Sequence, residues 1–124
     1  MEKSEKTIFV VDNEKVISST IATILQGSGY RAFSFLDLPE AVEAAKAIRP
    51  DLLITDVILS SGDGLNLAQE IASMYPTCKV LVISRILNAH ALLLERKIDF
   101  PLLPKPCHPT TLIAEVDRLI GQLP

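Results

Sequence analysis

The sequence predicts an α/β fold of the doubly wound kind: a five-stranded parallel sheet with helices on both faces, built from five β-α units in succession. Three observations carry this. Short apolar runs recur along the chain, they are continuous rather than alternating, and segments of helical period stand between them. A strand that is apolar at every position is one covered on both faces, as in a parallel sheet. Regular alternation with short connections then implies right-handed crossovers that lay helices on either side.

The elements follow in order. "TIFVV" (7–11) is the first strand. Over 14–28, Ile17, Ile21, Ile24 and Leu25 form one stripe, and "GSGY" supplies the glycine stop. "RAFSF" (31–35) is the second strand, with Ala32 and Ser34 alternating with aromatics. In 39–48, Pro39 fits a first helical turn, and Ala41, Val42, Ala44, Ala45 and Ile48 follow until "RP" ends the helix. "DLLIT" (51–55) is the third strand. Leu65, Ala68, Ile71, Ala72 and Tyr75 make a third helix, stopped by Pro76. "KVLVIS" (79–84) is the fourth strand and 87–96 the fourth helix, whose core stripe is read as Leu87, Ala91, Leu94 and Ile98, with Leu92 and Leu93 beside it and not fully buried. "PLLP" (101–104) is the fifth strand. The last helix begins near Pro109 and carries Leu112, Val116, Leu119 and Ile120.

Composition narrows the function. The 124 residues, 48% of them hydrophobic, suit one domain spanning 1–124 that buries roughly two-thirds of its unfolded surface. "MEKSEKT" is charged and polar, so residues 1–6 are expected as a flexible solvated tail without a secretory leader. Net charge is −3 with both signs interspersed, which gives no footprint for nucleic acid or an anionic membrane. The longest apolar stretches run five to seven residues, too short to span a bilayer. Cys78 and Cys107 lack CxxC spacing and read as reduced thiols of a cytoplasmic protein. His90 and His108 have no metal-ligand spacing, and His108 falls near the cap of the last helix.

In sheets of this type, ligands bind beyond the carboxyl ends of the strands. The chain places Asp12-Asn13-Glu14 after the first strand, Asp56 after the third, Ser84 at the end of the fourth and Lys105-Pro106 after the fifth. An Asp at one strand end is most often a helix cap. Carboxylates, a hydroxyl and a lysine at four such ends are the parts of a phosphoryl-transfer site. Carboxylates hold Mg²⁺, lysine and hydroxyl neutralise phosphoryl oxygens, and an aspartate can itself accept the group.

On "VVDNE", "DLLITDVILSSGDGLNL", "VLVIS" and "LPKPCHPTTL", the chain resembles, over essentially its full length, the receiver (CheY-like) domains of two-component response regulators. The resemblance implies the flavodoxin-like strand order 2-1-3-4-5. It implies that Asp56 accepts a phosphoryl group from a histidine kinase, a phosphotransfer protein or a small phosphodonor. Asp12, Asn13, Asp56 and the Ile58 main-chain carbonyl would hold Mg²⁺. Lys105 would pair with the phosphoryl oxygens, the Lys105-Pro106 peptide would be cis, and Ser84 would couple the site to a surface made by the fourth helix, fifth strand and last helix. That surface would engage a downstream partner, a fused effector domain or a second copy of the chain. No DNA-binding or catalytic effector is expected within these 124 residues.

The departures from the pattern are specific. Asn13 stands where a second acidic ligand is expected, which weakens Mg²⁺ binding unless Glu14 turns inward. Arg85 replaces a small residue and either crowds the pocket, points to solvent or clamps an anion. Leu102 replaces an aromatic, Ser60-Ser61 replace a Pro-Gly pair, and Cys107 takes a position that is usually apolar or aromatic. These keep a second reading open, that of a pseudo-receiver acting as a phosphorylation-independent interaction module. A nucleotide-binding enzyme would need a glycine-rich phosphate loop after the first strand, which is missing. A haloacid-dehalogenase type phosphatase needs a second Asp where Ile58 stands.

Overall fold

In the computed structural model, which describes residues 3–59, 62–86 and 88–121, strands and helices alternate. The order is β1 (Thr7–Val11), α1 (Lys15–Gly27), β2 (Arg31–Phe35), α2 (Leu38–Ala47), β3 (Leu52–Asp56), α3 (Gly64–Met74), β4 (Lys79–Ser84), α4 (Ala89–Glu95), β5 (Leu102–Pro104) and α5 (Pro109–Val116). The strands form one parallel sheet in the order β2-β1-β3-β4-β5, as the resemblance implied. A π-helical turn, Asp117–Gly121, extends α5. Between β3 and α3, Ile58–Leu59 pairs antiparallel with Gly62–Asp63. Ser60 and Ser61, read above as a substitution in this loop, lie outside the described residues, as does Leu87.

The continuous apolar strands are explained by two cores. Phe9, Val11, Leu53, Val80 and Val82 face one side, where α2, α3 and α4 cover them. Ile8, Val10, Leu52, Ile54, Leu81 and Ile83 face the other, under α1 and α5. Successive side chains of a strand point to opposite faces, so every position of a doubly covered strand is buried. Edge strand β2 is half-covered; its Phe33 and Phe35 rings pack on Phe9 at centroid separations of 6.2 and 4.8 Å.

Helix ends follow their local chemistry. Asp37 caps α2 by accepting from Glu40 N, Asp63 caps α3, and His108 caps α5 through Nδ1, which accepts from Thr110 N at 3.1 Å. The expected stripe of α4 is corrected. Its buried residues are Ala89 and Leu93, whereas Leu94 is 78% exposed and Ala91 is exposed. The helix closes at Arg96, Lys97 takes a positive φ of 56°, and Ile98 lies beyond the helix. Ile98 N donates to Leu93 O at 2.9 Å and Lys97 N to Leu94 O at 3.1 Å, the pairing of a Schellman motif. Leu93 and Ile98 then meet in the core.

Within residues 1–6, expected as a tail, Lys3–Glu5 form a short 3-10 turn. Lys3 Nζ lies 3.0 Å from Asp117 Oδ1, to which Tyr30 Oη also donates. Both cysteines are free thiols, and burial pushes Cys78 up to about 12, with the Asp51 charge adding to the rise. Among the described residues no helix is long and apolar enough to cross a membrane.

Candidate functional site

The carboxyl ends of β1, β3, β4 and β5 deliver Asp12, Asp56, Ser84 and Lys105 to one rim. Parallel strands in register end together, and Asp56 is paired across the sheet with Ile83, next to Ser84. Lys105 N donates to Ser84 O at 2.9 Å, which ties the lysine loop to β4. The Lys105-Pro106 peptide is cis.

Lys105 Nζ stands between two carboxylates, 2.5 Å from Asp12 Oδ2 and 2.7 Å from Asp56 Oδ2. Asp12 is fully buried and the Lys105 side chain is 5% exposed, while the Asp56 side chain keeps 17% exposure. The acceptor candidate is therefore the member of the trio that solvent or a donor can reach. Burial alone pushes the Lys105 ammonium down, but its close pairing with Asp12 and its hydrogen bond and pairing with Asp56 outweigh it and raise it above the ordinary lysine value.

The remaining oxygens are held by backbone. Asp12 Oδ1 accepts from Glu14 N at 2.9 Å, and Asp56 Oδ1 accepts from Val57 N at 2.7 Å. Asp12 Oδ2 is different. It is buried, close to the lysine, yet no hydrogen-bond donor among the described residues is aligned with it. Ser84 is 3% exposed, and its Oγ accepts from Ile86 N at 2.9 Å.

The other expected residues are arranged less closely. Asn13 is exposed, and Glu14 does not turn into the pocket. Its carboxylate lies 3.5 Å from Arg85 Nη1 on the surface, where both side chains are about half exposed at 48% and 61%. Ile58 sits in the short hairpin opposite Asp63 with its side chain 67% exposed. Among the described residues no three acidic, His or Cys groups cluster closely enough to enclose a metal.

Two supporting features escaped the sequence reading. A Cβ at Gly64 would fall 1.7 Å from Asp56 O, so only glycine lets α3 start against the acceptor's backbone. Arg96, at the end of α4, donates to Asp63 Oδ2 at 2.7 Å and to Asn66 Oδ1 at 3.1 Å. Asp63 Oδ1 meanwhile accepts from Leu65 N and Asn66 N. One aspartate thus caps α3 and clasps α4 beside the hairpin that follows Asp56. The clasping partner of Asp63 lies 33 residues away and left no local signal in the sequence.

Several curated relatives are regulators of which this chain matches one part. The chain is 29% identical over 119 residues to DNA-binding transcriptional regulator NtrC of Escherichia coli, covering 92% of this chain and 24% of that protein. It is 32% identical over 121 residues to nitrogen assimilation regulatory protein NtrX of Azorhizobium caulinodans, covering 94% and 26% respectively. The chain therefore spans about a quarter of the length of these relatives. Among solved structures, a two-component response regulator from Clostridium difficile superposes with a TM-score of 0.84 at 24% identity, over 95% of this chain and 98% of that one, a likeness of fold. The response regulator receiver domain model matches residues 8–117, nearly the whole sheet and its helices, and the chain belongs to that family.

Proposed function

We propose that this receiver domain accepts a phosphoryl group on Asp56 from a histidine kinase or phosphotransfer protein, and that the chain 1–124 works as a single signalling unit. The observation supporting it most directly is the Lys105 ammonium held between buried Asp12 and half-reachable Asp56. In the transfer, an Asp56 carboxylate oxygen attacks the phosphorus, the bond from phosphorus to the donor's imidazole nitrogen breaks, and the imidazole leaves with that electron pair. Lys105 neutralises charge on the phosphoryl oxygens, and Ser84 Oγ is released from Ile86 N to donate to them. The domain assists its own modification and acts as a binding switch rather than a classical enzyme.

The residues fit a weakly bound Mg²⁺. Mg²⁺ keeps several waters and is commonly held by one or two carboxylates. Asp12 Oδ2 is buried with no aligned hydrogen-bond donor, its neighbouring charge being the Lys105 ammonium 2.5 Å away, so it keeps a lone pair that the ion would take. Asp56, the Ile58 carbonyl and the Asn13 amide would complete the protein's share, and the ion would supply positive charge against the incoming phosphoryl group. With Glu14 held by Arg85, the pocket offers two carboxylates.

Two surfaces support the partner assignments. An apolar groove of about 320 Å³ between α1 and α5 opens beside Lys105 and Arg85, a shape suited to a helix of the phosphodonor. On the α4-β5-α5 side, a cavity of about 220 Å³ lies between Ser84, His90 and Leu102, and Leu94 stands exposed nearby on α4. That side is the proposed switching surface, for a downstream protein, a fused effector domain or a second copy. A pseudo-receiver reading is favoured by one observation, the engagement of Glu14 by Arg85 outside the pocket.

One experiment separates the two. With Mg²⁺ and beryllofluoride, amide spectra of the protein shift around Asp56, Ser84 and α4, and Asp56→Asn abolishes the change. An unresponsive wild-type protein at saturating Mg²⁺ sinks the phosphoacceptor reading and leaves the constitutive interaction module.

A further inference from the structure

The end of the sheet opposite Asp56 carries a second charged site. Lys6 precedes β1, Arg49 and Asp51 precede β3, Thr77 and Lys79 stand at the start of β4, and Arg118 reaches in from the turn after α5. Together with Leu119 and Ile120, these six line a cavity of about 420 Å³. Four basic side chains around one concavity contrast with a chain whose net charge is −3.

The charges do not cancel within the cavity. Asp51 Oδ2 accepts from Thr7 N at 2.8 Å, so this carboxylate joins β1 to β3, and its Oδ1 lies 3.4 Å from Arg49 Nη2. Arg118 is matched by Glu115, whose oxygens accept from its Nε at 3.2 Å. Lys6 and Lys79 have no carboxylate within ion-pair distance among the described residues. Two ammonium groups are thus left over. Thr77 Oγ1 lies 3.5 Å from Arg49 Nη1 as an acceptor, which leaves its own hydroxyl proton to donate.

We propose that this cavity binds a small multivalent phosphate anion, specifically a diphosphate group, free or esterified to a nucleoside. Two unpaired ammonium groups, beside two guanidinium groups already engaged by Asp51 and Glu115, leave the cavity with an excess of donors and positive charge, the complement of clustered phosphoryl oxygens. The open concavity admits a compact anion to all four basic side chains at once, whereas an acidic polypeptide is suited by a longer, flatter patch. β3 and β4 run the whole way from this cavity to Asp56 and Ser84, so the site is separate from the phosphoacceptor pocket and independent of its assigned role.

The test is calorimetric titration of the full chain in Mg²⁺-free, low-salt buffer, with inorganic pyrophosphate in one arm and ADP in the other. Pyrophosphate binds, its affinity falls with added salt, and the double variant Lys6→Ala/Lys79→Ala loses roughly tenfold or more. Lys79→Gln alone, the milder change, loses a part of this. Lys105→Ala, at the other end of the sheet, keeps the wild-type affinity. Pyrophosphate binding without ADP binding identifies the free anion as the ligand, and equal or tighter ADP binding identifies the esterified form. The proposal is overturned by silence toward pyrophosphate, by an unchanged affinity in a folded double variant, or by loss in Lys105→Ala. It is also overturned if a polyglutamate peptide binds and pyrophosphate does not.

Discussion

Arg85 Nη1 lies 3.5 Å from Glu14 Oε1, and this surface pair sets how much negative charge the acidic pocket can present to a cation. Asn13 already lacks the charge expected beside Asp12, and Glu14 is the one neighbour able to restore it. In the structure Glu14 is instead engaged by a guanidinium, itself a positive charge at the pocket's edge. Exposed pairs of this kind contribute up to about 1 kcal/mol, so Arg85→Ala tightens Mg²⁺ binding by up to about fivefold. Adding Glu14→Ala removes the gain. Mg²⁺ titration by amide chemical shift measures both, and an unchanged or weaker affinity in Arg85→Ala refutes the account. The sequence placed Asp12, Asp56, Ser84 and Lys105 on one rim because strand ends are local signals. It left the orientation of Glu14 and Arg85 open because their meeting depends on two loops that touch only in the fold.

At the scale of elements, α4 shows where periodicity misleads. A stripe through Leu87, Ala91, Leu94 and Ile98 assumes one helix across all of them. The helix runs only Ala89–Glu95, and its end is made by Lys97 in the left-handed region, without the glycine that usually announces such a stop. Ile98 reaches the core by turning back onto Leu93, so its burial says nothing about the helical face. Helices α1 and α5, longer or ended by plainer signals, were legible as they stand. Three substitutions check the revised face by denaturant unfolding. Leu93→Ala costs about 2–4 kcal/mol. Leu94→Ala stays within about 0.5 kcal/mol. Lys97→Gly stabilises by about 1 kcal/mol through relief of the left-handed backbone. Equal losses at Leu93 and Leu94 would return the stripe to its sequence-based position.

Across the whole molecule, the apolar strands fixed the sheet and its two cores, whereas charge pairs, long-range except for Glu115–Arg118, govern the response to pH. Burial raises Asp63, but the Arg96 hydrogen bond and two helix N–H groups outweigh it and hold it below the usual range. Glu115 is lowered by its bond to Arg118. Asp117 is lowered because Tyr30 and Lys3 outweigh its burial. A depressed carboxylate contributes stability that is present above its unfolded value, about 4, and is lost as pH falls through the folded value. Lys105 and Tyr30 behave oppositely. The aspartates raise Lys105 against the effect of burial; burial first, then Asp117, raises Tyr30. Their contributions are complete below about pH 10 and disappear as pH rises through the folded values. Urea midpoints measured from acid to alkali therefore form a plateau between roughly pH 5 and 9 that falls on both sides. Because Asp63 is about a third exposed, its share is modest and shrinks with salt. Arg96→Ala lowers the plateau, and its curve converges on the wild type as pH falls through the folded value of Asp63, which lies below the ordinary carboxylate range. Curves that stay parallel through the acid range would show that the Arg96–Asp63 clasp does not hold α4 to α3 by charge.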